Sequence, residues 1–331
     1  MMSMNGLGPH GERAEGANSV VLAETEIAAA RRKQYRVAIV MHTLNSDWSR
    51  LQLAGIVGTL GDCGCVVSEV VDCQFNAQTQ ISALSQLSSQ PLDAIISIPV
   101  ANTDVAEAHR MVSRSGIHLI LLDNVPTGLL PGNDYVSLVS SDNFGLGIIS
   151  AQLLADKLPQ DAIIGMLTYS EDFYAINERE IAFRRWMKLY RPDLTLETES
   201  FNAPELAGQQ ALALLKSHPN LSGIFAVWDT PAMSALNALA KIQTNIQVTT
   251  VDLGHEASLK LAQGKSLIGI AAQQPYLLGV AAAHTGVLAM LGQVVPRWIA
   301  LPGLPVTQEN VVTRYQEVWR APASPEIIQA R

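Results

Sequence analysis

Charge of either sign is sparse in this chain, with Asp, Glu, Lys and Arg together at 16% of its residues. Lys and Arg number 22 against 30 Asp and Glu, a net charge of −8. The basic footprint that phosphate backbones require is missing, which excludes nucleic acid as a partner. Cysteine occurs three times, at Cys63, Cys65 and Cys73. An odd count excludes a full disulfide framework. Cys-Gly-Cys is too tight for structural zinc, and no His or Cys pair follows it at ligand spacing. The plain reading is small residues in and beside a strand, although a Cys65–Cys73 bridge could form in an oxidising compartment. No apolar run reaches the ~18 residues of a transmembrane helix.

Catalytic motifs are missing as well. Gly145-Leu146-Gly147 lacks the full dinucleotide spacing and has no Lys-Ser/Thr behind it, so it is a poor phosphate loop. There is no Gly-x-Ser-x-Gly elbow. The His residues, at 10, 42, 109, 118, 218, 255 and 284, form no His-x-x-x-His pair. The reading is of a protein with no catalytic group, no metal and no cofactor.

What is present is apolar. Hydrophobic residues make up 48% and mean hydropathy is +0.18, enough to fill the cores of two lobes in 331 residues. One pattern occurs twice. Residues 36–41 form a short apolar strand, followed by the polar loop Thr43–Trp48 and a helix-like run to Leu60. Residues 163–167 repeat it, with a polar stretch from Thr168 to Asn177 and a helix-like run to Tyr190. Strand–helix alternation with a period of about 25–30 residues continues after each, as βαβ units require. The spacing predicts an α/β protein of two doubly wound parallel-sheet lobes. Beyond Pro305, Val311-Val312-Thr313 predicts one more strand. Residues 1–34, rich in Gly, Ala, Glu and Arg, predict a disordered or loosely ordered segment, of which folding and binding can dispense with residues 1–33. That segment has no leader pattern: its most apolar piece, Ser19–Ala23, is short, and Arg31-Arg32-Lys33 comes after it.

Polar or aromatic residues recur just past the strand ends. Ser46, Asp47 and Trp48 come first, then Asn102, Asp123, Tyr174, Asn177, Trp228, Asp252 and Gln273. Aromatic faces stack on the C–H faces of a sugar or polyol, and Asp, Asn and Gln pair with hydroxyls. Some of the carboxylates also read as helix caps, Asp142 and Asp229 especially, the latter for a helix starting at Pro231.

From Tyr35 to about Tyr315 these pieces resemble the ribose-binding type of periplasmic substrate-binding protein, which shares its fold with lactose-repressor-family effector domains. The likeness rests on Thr43–Trp48, Asp93–Val100, Leu121–Asp123, Ser141–Asn143 with Gly147, and Asn177–Arg179 with Phe183. Gly223–Asp229, Val251–Asp252 and Gln273–Pro275 with Gly279 complete it. The resemblance implies a periplasmic-binding-protein type I fold with a three-segment hinge. It places the crossings near Asp123–Pro126, Gln273–Pro275 and Leu304–Thr307. One lobe is then 35–124 plus 275–305 and the other 125–274 plus 306–331, with the ligand cleft between them. It implies Ser46, Trp48, Asp252 and Gln273 as ligand contacts and Arg179 as structural. Asn177 replaces a sugar-binding Arg, Ala101 a carboxylate, and Trp228 an Asn, which suggests a larger, less polar or linear ligand. The function implied is capture of a sugar, polyol or modified sugar by a monomer that closes on a hinge and delivers it to an ABC transporter permease, in the periplasm. The missing leader pattern keeps a cytoplasmic ligand-sensing regulator of the same fold as the alternative, with a carbohydrate-acting enzyme behind it.

Overall fold

A computed structural model describes residues 4–242 and 244–331. The strands, in chain order, are β1 (Glu15–Gly16), β2 (Arg36–Met41), β3 (Val66–Asp72), β4 (Ala94–Ser97), β5 (His118–Leu122), β6 (Ser137–Ser141), β7 (Ile163–Tyr169), β8 (Thr195–Phe201), β9 (Leu221–Ala226), β10 (Gln247–Val251), β11 (Leu267–Ala272), β12 (Trp298–Leu301) and β13 (Leu304–Val306). The helices are α1 (Glu24–Lys33), α2 (Asp47–Asp62), α3 (Ala77–Leu87), α4 (Ala106–Arg114), α5 (Asn143–Ala155), α6 (Tyr174–Tyr190), α7 (Ala207–Ser217), α8 (Asp229–Ala240), α9 (His255–Ala262), α10 (Pro275–Met290), α11 (Val311–Trp319) and α12 (Pro325–Ala330).

These strands make two sheets. The first is seven-stranded in the order β1-β12-β6-β5-β4-β2-β3, and the second six-stranded in the order β13-β11-β10-β9-β7-β8. All pairs are parallel except β13 against β11. A parallel sheet buries both faces, so its central strands read as continuous apolar runs. In β2, Val37, Ile39 and Met41 enter the core on one face, while Ala38 and Val40 enter the core on the other. The second sheet has its own core around Phe183, Phe225 and Ile270. This is the α/β type I binding-protein architecture, with two sheets linked by a hinge.

The first crossing is not at Asp123–Pro126. Residues 123–136 loop back, and β6 pairs with β5 and β12 in the first sheet. The chain changes lobe at Asp142, so residues 125–141 belong to the first lobe. No helix separates β5 from β6, and the strand–helix period that marks the other units fails there. The second crossing is Gln273–Gln274. The third is Pro302–Gly303, because β13 already pairs in the second sheet.

Two further expectations are corrected. Val311-Val312-Thr313 starts helix α11, not a strand, since Val311, Tyr315 and Val318 recur at helical spacing and bury against the second core. Residues 4–34 are ordered. β1 adds to the edge strand β12, and Val20 and Ala30 are fully buried in the first core. Helix α1 carries Glu24 and Glu26 in its first turn and Arg31, Arg32 and Lys33 in its last, complementing the helix dipole. Arg31 donates twice to the Asp62 carbonyl, at 2.9 and 2.8 Å. Composition hid this segment because its few apolar residues are spaced to meet a surface built elsewhere in the chain.

Cys63 and Cys65 line one core of the first sheet and Cys73 the core on its other face, all as buried free thiols. Burial pushes the Cys65 thiol up to about 12 and that of Cys73 to about 11. Helices α2 and α10 touch backbone to backbone. A Cβ on Gly55 would run into the Tyr276 carbonyl, and one on Gly279 into the carbonyl of Gln52.

Candidate functional site

Strand ends of parallel sheets place loops at their carboxyl edges, where α/β proteins bind ligands. Between the two sheets, at the crossings, these loops meet in a buried polar chain. Gln52 Nε2, from α2, donates to Asp123 Oδ2 at 3.3 Å. The Ser141 N–H donates to Asp123 Oδ1 at 3.4 Å, and Ser141 Oγ donates to Gln273 Oε1 at 2.6 Å. Gln273 Nε2 donates to Asp252 Oδ1, also at 2.6 Å. The chain thus links the first sheet to the second. Arg179 closes the base. Its Nε donates to Asn143 Oδ1 at 2.9 Å and its Nη1 to the Val227 carbonyl at 3.0 Å.

The charges are crowded. Asp123, Asp252 and Arg179 are all buried, and burial costs each charge much of its hydration. Burial pushes the Asp123 carboxyl up to about 6 despite Arg179 and Gln52. It raises Asp252 too, against the pull of Arg179 and Gln273. Asp229 is pushed up to about 7, by burial and then by the Asp252 charge. Burial lowers the Arg179 guanidinium, opposed by the carboxylates of Asp252, Asp123 and Asp229.

Two carboxylates converge on the amino terminus of α9. The Gly254 N–H donates to Asp229 Oδ2 at 3.0 Å, and the His255 N–H donates to Asp47 Oδ2 at 2.9 Å. Asp229 therefore serves α9 rather than the helix it begins, which starts at Asp229 itself with Trp228 at its N-cap. Asp47 belongs to the first lobe and α9 to the second, so this bond spans the cleft. Asp47 also pairs with Arg50 at 2.6 Å.

A ring cluster stands at the strand ends of each lobe. On the first lobe His42 stands edge-on to Trp48, with centroids 5.7 Å apart, and to Phe75 at 4.9 Å. On the second, Trp228 stands edge-on to Tyr169 at 5.4 Å and Phe201 at 5.3 Å. His42 has its ring pKa lowered to about 4 by burial, so it is neutral at physiological pH. Among the described residues, the solvent-shielded polar atoms without a protein partner include five at the strand ends and the first turns of α2 in the first lobe, His42 Nδ1, Trp48 Nε1, Gln52 Oε1, Asn102 Oδ1 and Asn124 Oδ1, besides Glu12 Oε1, Ser68 Oγ, the Tyr135 hydroxyl and Ser150 Oγ elsewhere. Each such atom costs about 1–3 kcal/mol unless something else satisfies it.

The sequence-predicted residues thus divide. Asp123, Asp252 and Gln273 are brought together, but in a buried chain rather than facing solvent. Ser46 accepts from the Ser49 N–H and caps α2. Asn177 donates to Asp172 at 2.5 Å, and the Tyr174 hydroxyl donates to the Leu7 carbonyl at 2.7 Å. Trp48, in the first turn of α2, and Asn102 and Trp228, in loops, are partly buried. Sequence reasoning missed Gln52, a lone amide in an apolar helix, and Phe75, whose left-handed backbone (φ 55°) no local motif announces. Among the described residues, no group of three or more His, Cys, Asp or Glu could hold a metal ion.

A family model described as "Periplasmic binding protein domain" matches residues 37–293. The ribose import binding protein RbsB of Bacillus subtilis is 25% identical over 276 residues, covering 83% of this chain and 88% of its own. Its Escherichia coli counterpart is 24% identical over 278 residues, 83% and 91% of the two chains. Among solved structures, an ABC transporter solute-binding protein from Agrobacterium vitis, bound with α-D-tagatopyranose, superposes with a TM-score of 0.79 at 21% identity, over 88% of this chain and 99% of that one. Another from Mycobacterium smegmatis, with bound glycerol, has a TM-score of 0.77 at 19% identity, over 84% and 96%.

Proposed function

The chain belongs to the periplasmic binding protein domain family, and from that premise we propose that it captures a small hydroxylated ligand, a sugar, polyol or modified sugar, by closing its two lobes around it. The observation that carries the reading is the row of partnerless polar atoms beside rings at the carboxyl edge of the first sheet: Trp48 Nε1, His42 Nδ1, Asn102 Oδ1 and Asn124 Oδ1. Donors and acceptors next to an aromatic face suit hydroxyls and the C–H face between them. The ring pair Trp48 and Trp228 favours a ligand larger or less polar than a pentose. Ligand delivery to an ABC importer permease, in the periplasm, completes the proposal and draws on the company of its relatives. No acid–base or nucleophile role is assigned to any residue.

A thermal-shift screen against pentoses, hexoses, deoxysugars, linear polyols and nucleosides tests it, followed by titration calorimetry of any hit. A ligand at 100 times its Kd stabilises by about 2.7 kcal/mol, a clear rise in melting temperature. A panel in which no sugar or polyol shifts the melt would remove the reading.

A further inference from the structure

Residues 4–34 precede the family match, which begins at residue 37, yet they are built into the molecule at three places. From His10 onward they are fixed to the first lobe. β1 pairs with β12, α1 is bound to Asp62 through Arg31, and the His10 ring stacks on Tyr135 with centroids 6.5 Å apart. Their first residues grip the hinge. The Asn5 and Gly6 N–H groups donate to Asp142 Oδ2 and Oδ1, at 2.7 and 3.1 Å. Asp142 is the first crossing itself. Its own N–H donates to Leu301 at the end of β12, and its carboxylate accepts from the Gly145 N–H at the start of α5. Between these two anchors Leu7 reaches the second lobe, where its carbonyl accepts from the Tyr174 hydroxyl on α6.

The geometry points to a strap. The segment is a tether that runs from the first lobe, past Tyr174 of the second lobe, to the hinge residue Asp142, and it holds the lobes in their closed relation. The argument is mechanical. Helix α6 packs on α5 and in the second core, so Tyr174 moves with the second lobe. Leu7 is tied to the first lobe within a few residues, through the turn in which the Gly8 and Glu12 backbones bond at 2.8 Å. A hydrogen bond loses its strength steeply outside its narrow range of distance and angle. Rotation of one lobe about the crossings therefore breaks the Leu7–Tyr174 bond, while the Asp142 bonds, at the pivot, survive. The fit at the pivot is close. A Cβ on Gly6 would press on Asp142 and Phe144.

The test is small-angle scattering of the ligand-free protein in four forms: the full chain, a chain beginning at Arg13, Tyr174→Phe, and the two changes combined. The truncated chain keeps β1 and α1. We expect a larger radius of gyration for the truncated chain and for Tyr174→Phe, with the open fraction raised about fivefold by loss of one hydrogen bond. The combined form should be no more open than the truncated one, since both remove the same contact. Gly6→Val, which displaces the strap without shortening the chain, should match them. Scattering identical across all forms would overturn the proposal. So would a truncated chain that only loses denaturant stability, which would assign the segment to packing on the first lobe alone.

Discussion

Asp123 and Asp252 occupy the same position in the two lobes. Each stands one residue beyond a sheet strand, β5 or β10, with a left-handed backbone at φ 54° and 75°. Each donates its N–H to the neighbouring strand, Asp123 to the Val139 carbonyl at 3.1 Å and Asp252 to that of Ala271 at 3.2 Å. Asp tolerates this conformation better than most residues. The two carboxylates then meet near Arg179, joined through Ser141 and Gln273.

That symmetry predicts the outcome of substituting Asp252. Asp252→Asn keeps the left-handed preference and an acceptor for Gln273. Asp252→Ala loses both and leaves Gln273 Nε2 without its partner. We expect Asp252→Ala to be less stable than Asp252→Asn by about 1–2 kcal/mol, read from urea midpoints at constant m. Equal midpoints would mean that the hydrogen bond from Gln273 contributes nothing.

The bond from His255 to Asp47 crosses the cleft and joins the two lobes. Asp47→Ala removes it and relieves the charge beside Asp229. Ligand affinity should fall about three- to tenfold, with a stability change under about 0.5 kcal/mol. Titration calorimetry with a ligand from the screen, beside a thermal melt, separates the two effects. Unchanged affinity would place Asp47 outside the closing contacts.

Asp229 makes a pH-dependent contribution whose sign can be worked out. Its folded pKa, about 7, lies above the unfolded value of about 3.9. The folded form keeps a proton that the unfolded form has lost, so this stabilisation is full below about pH 4 and is lost as pH rises through about 7. His42 and His109, both lowered to about 4, act oppositely. Their stabilisation is full above the unfolded value of about 6.5 and falls as pH drops through about 4. Comparing Asp229→Asn with wild type cancels the histidines. The variant should gain stability relative to wild type as pH rises from 4 to 8, by about 1–2 kcal/mol at the top. A difference that stays flat with pH would contradict the raised carboxyl.

Gly279→Ala tests the helix contact behind the site. Ala adds about 1 kcal/mol of helix propensity, but its Cβ meets the Gln52 carbonyl. The helices must separate, at a net loss of about 2–3 kcal/mol. Because Gln52 holds Asp123, the same change should also weaken ligand binding. A variant as stable as wild type would show that α2 and α10 have room to spare.

Trp48 and Trp228 can be distinguished by the same measurements. Both are partly buried against their own lobes. Trp48→Ala removes a partnerless Nε1 along with its ring, whereas Trp228→Ala opens a cluster with Tyr169 and Phe201. We expect both to lose about 2–3 kcal/mol of stability, and Trp48→Ala to lose ligand affinity about tenfold or more. Wild-type affinity in Trp48→Ala would return that ring to the core.

The sequence by itself determined the alternation of strands and helices. Residues 37–41 and 163–167 are apolar on both faces, as a strand covered on both sides is, and the amphipathic runs behind them supply the cover. The doubly wound lobes follow from that local chemistry, and so does the placing of polar residues at strand ends. Tertiary structure alone decided which strand ends meet. The path from Asp123 through Ser141 and Gln273 to Asp252 joins residues up to 132 positions apart, and no local pattern encodes such a distance. Only the sheet order puts β6 in the first lobe and the crossing at Asp142, because β5 and β6 have no helix between them to mark the unit. Residues 4–34 are the clearest case. Their order comes from a sheet edge at β12, a carboxylate at Asp142 and a hydroxyl at Tyr174, surfaces that exist only once the rest of the chain has folded.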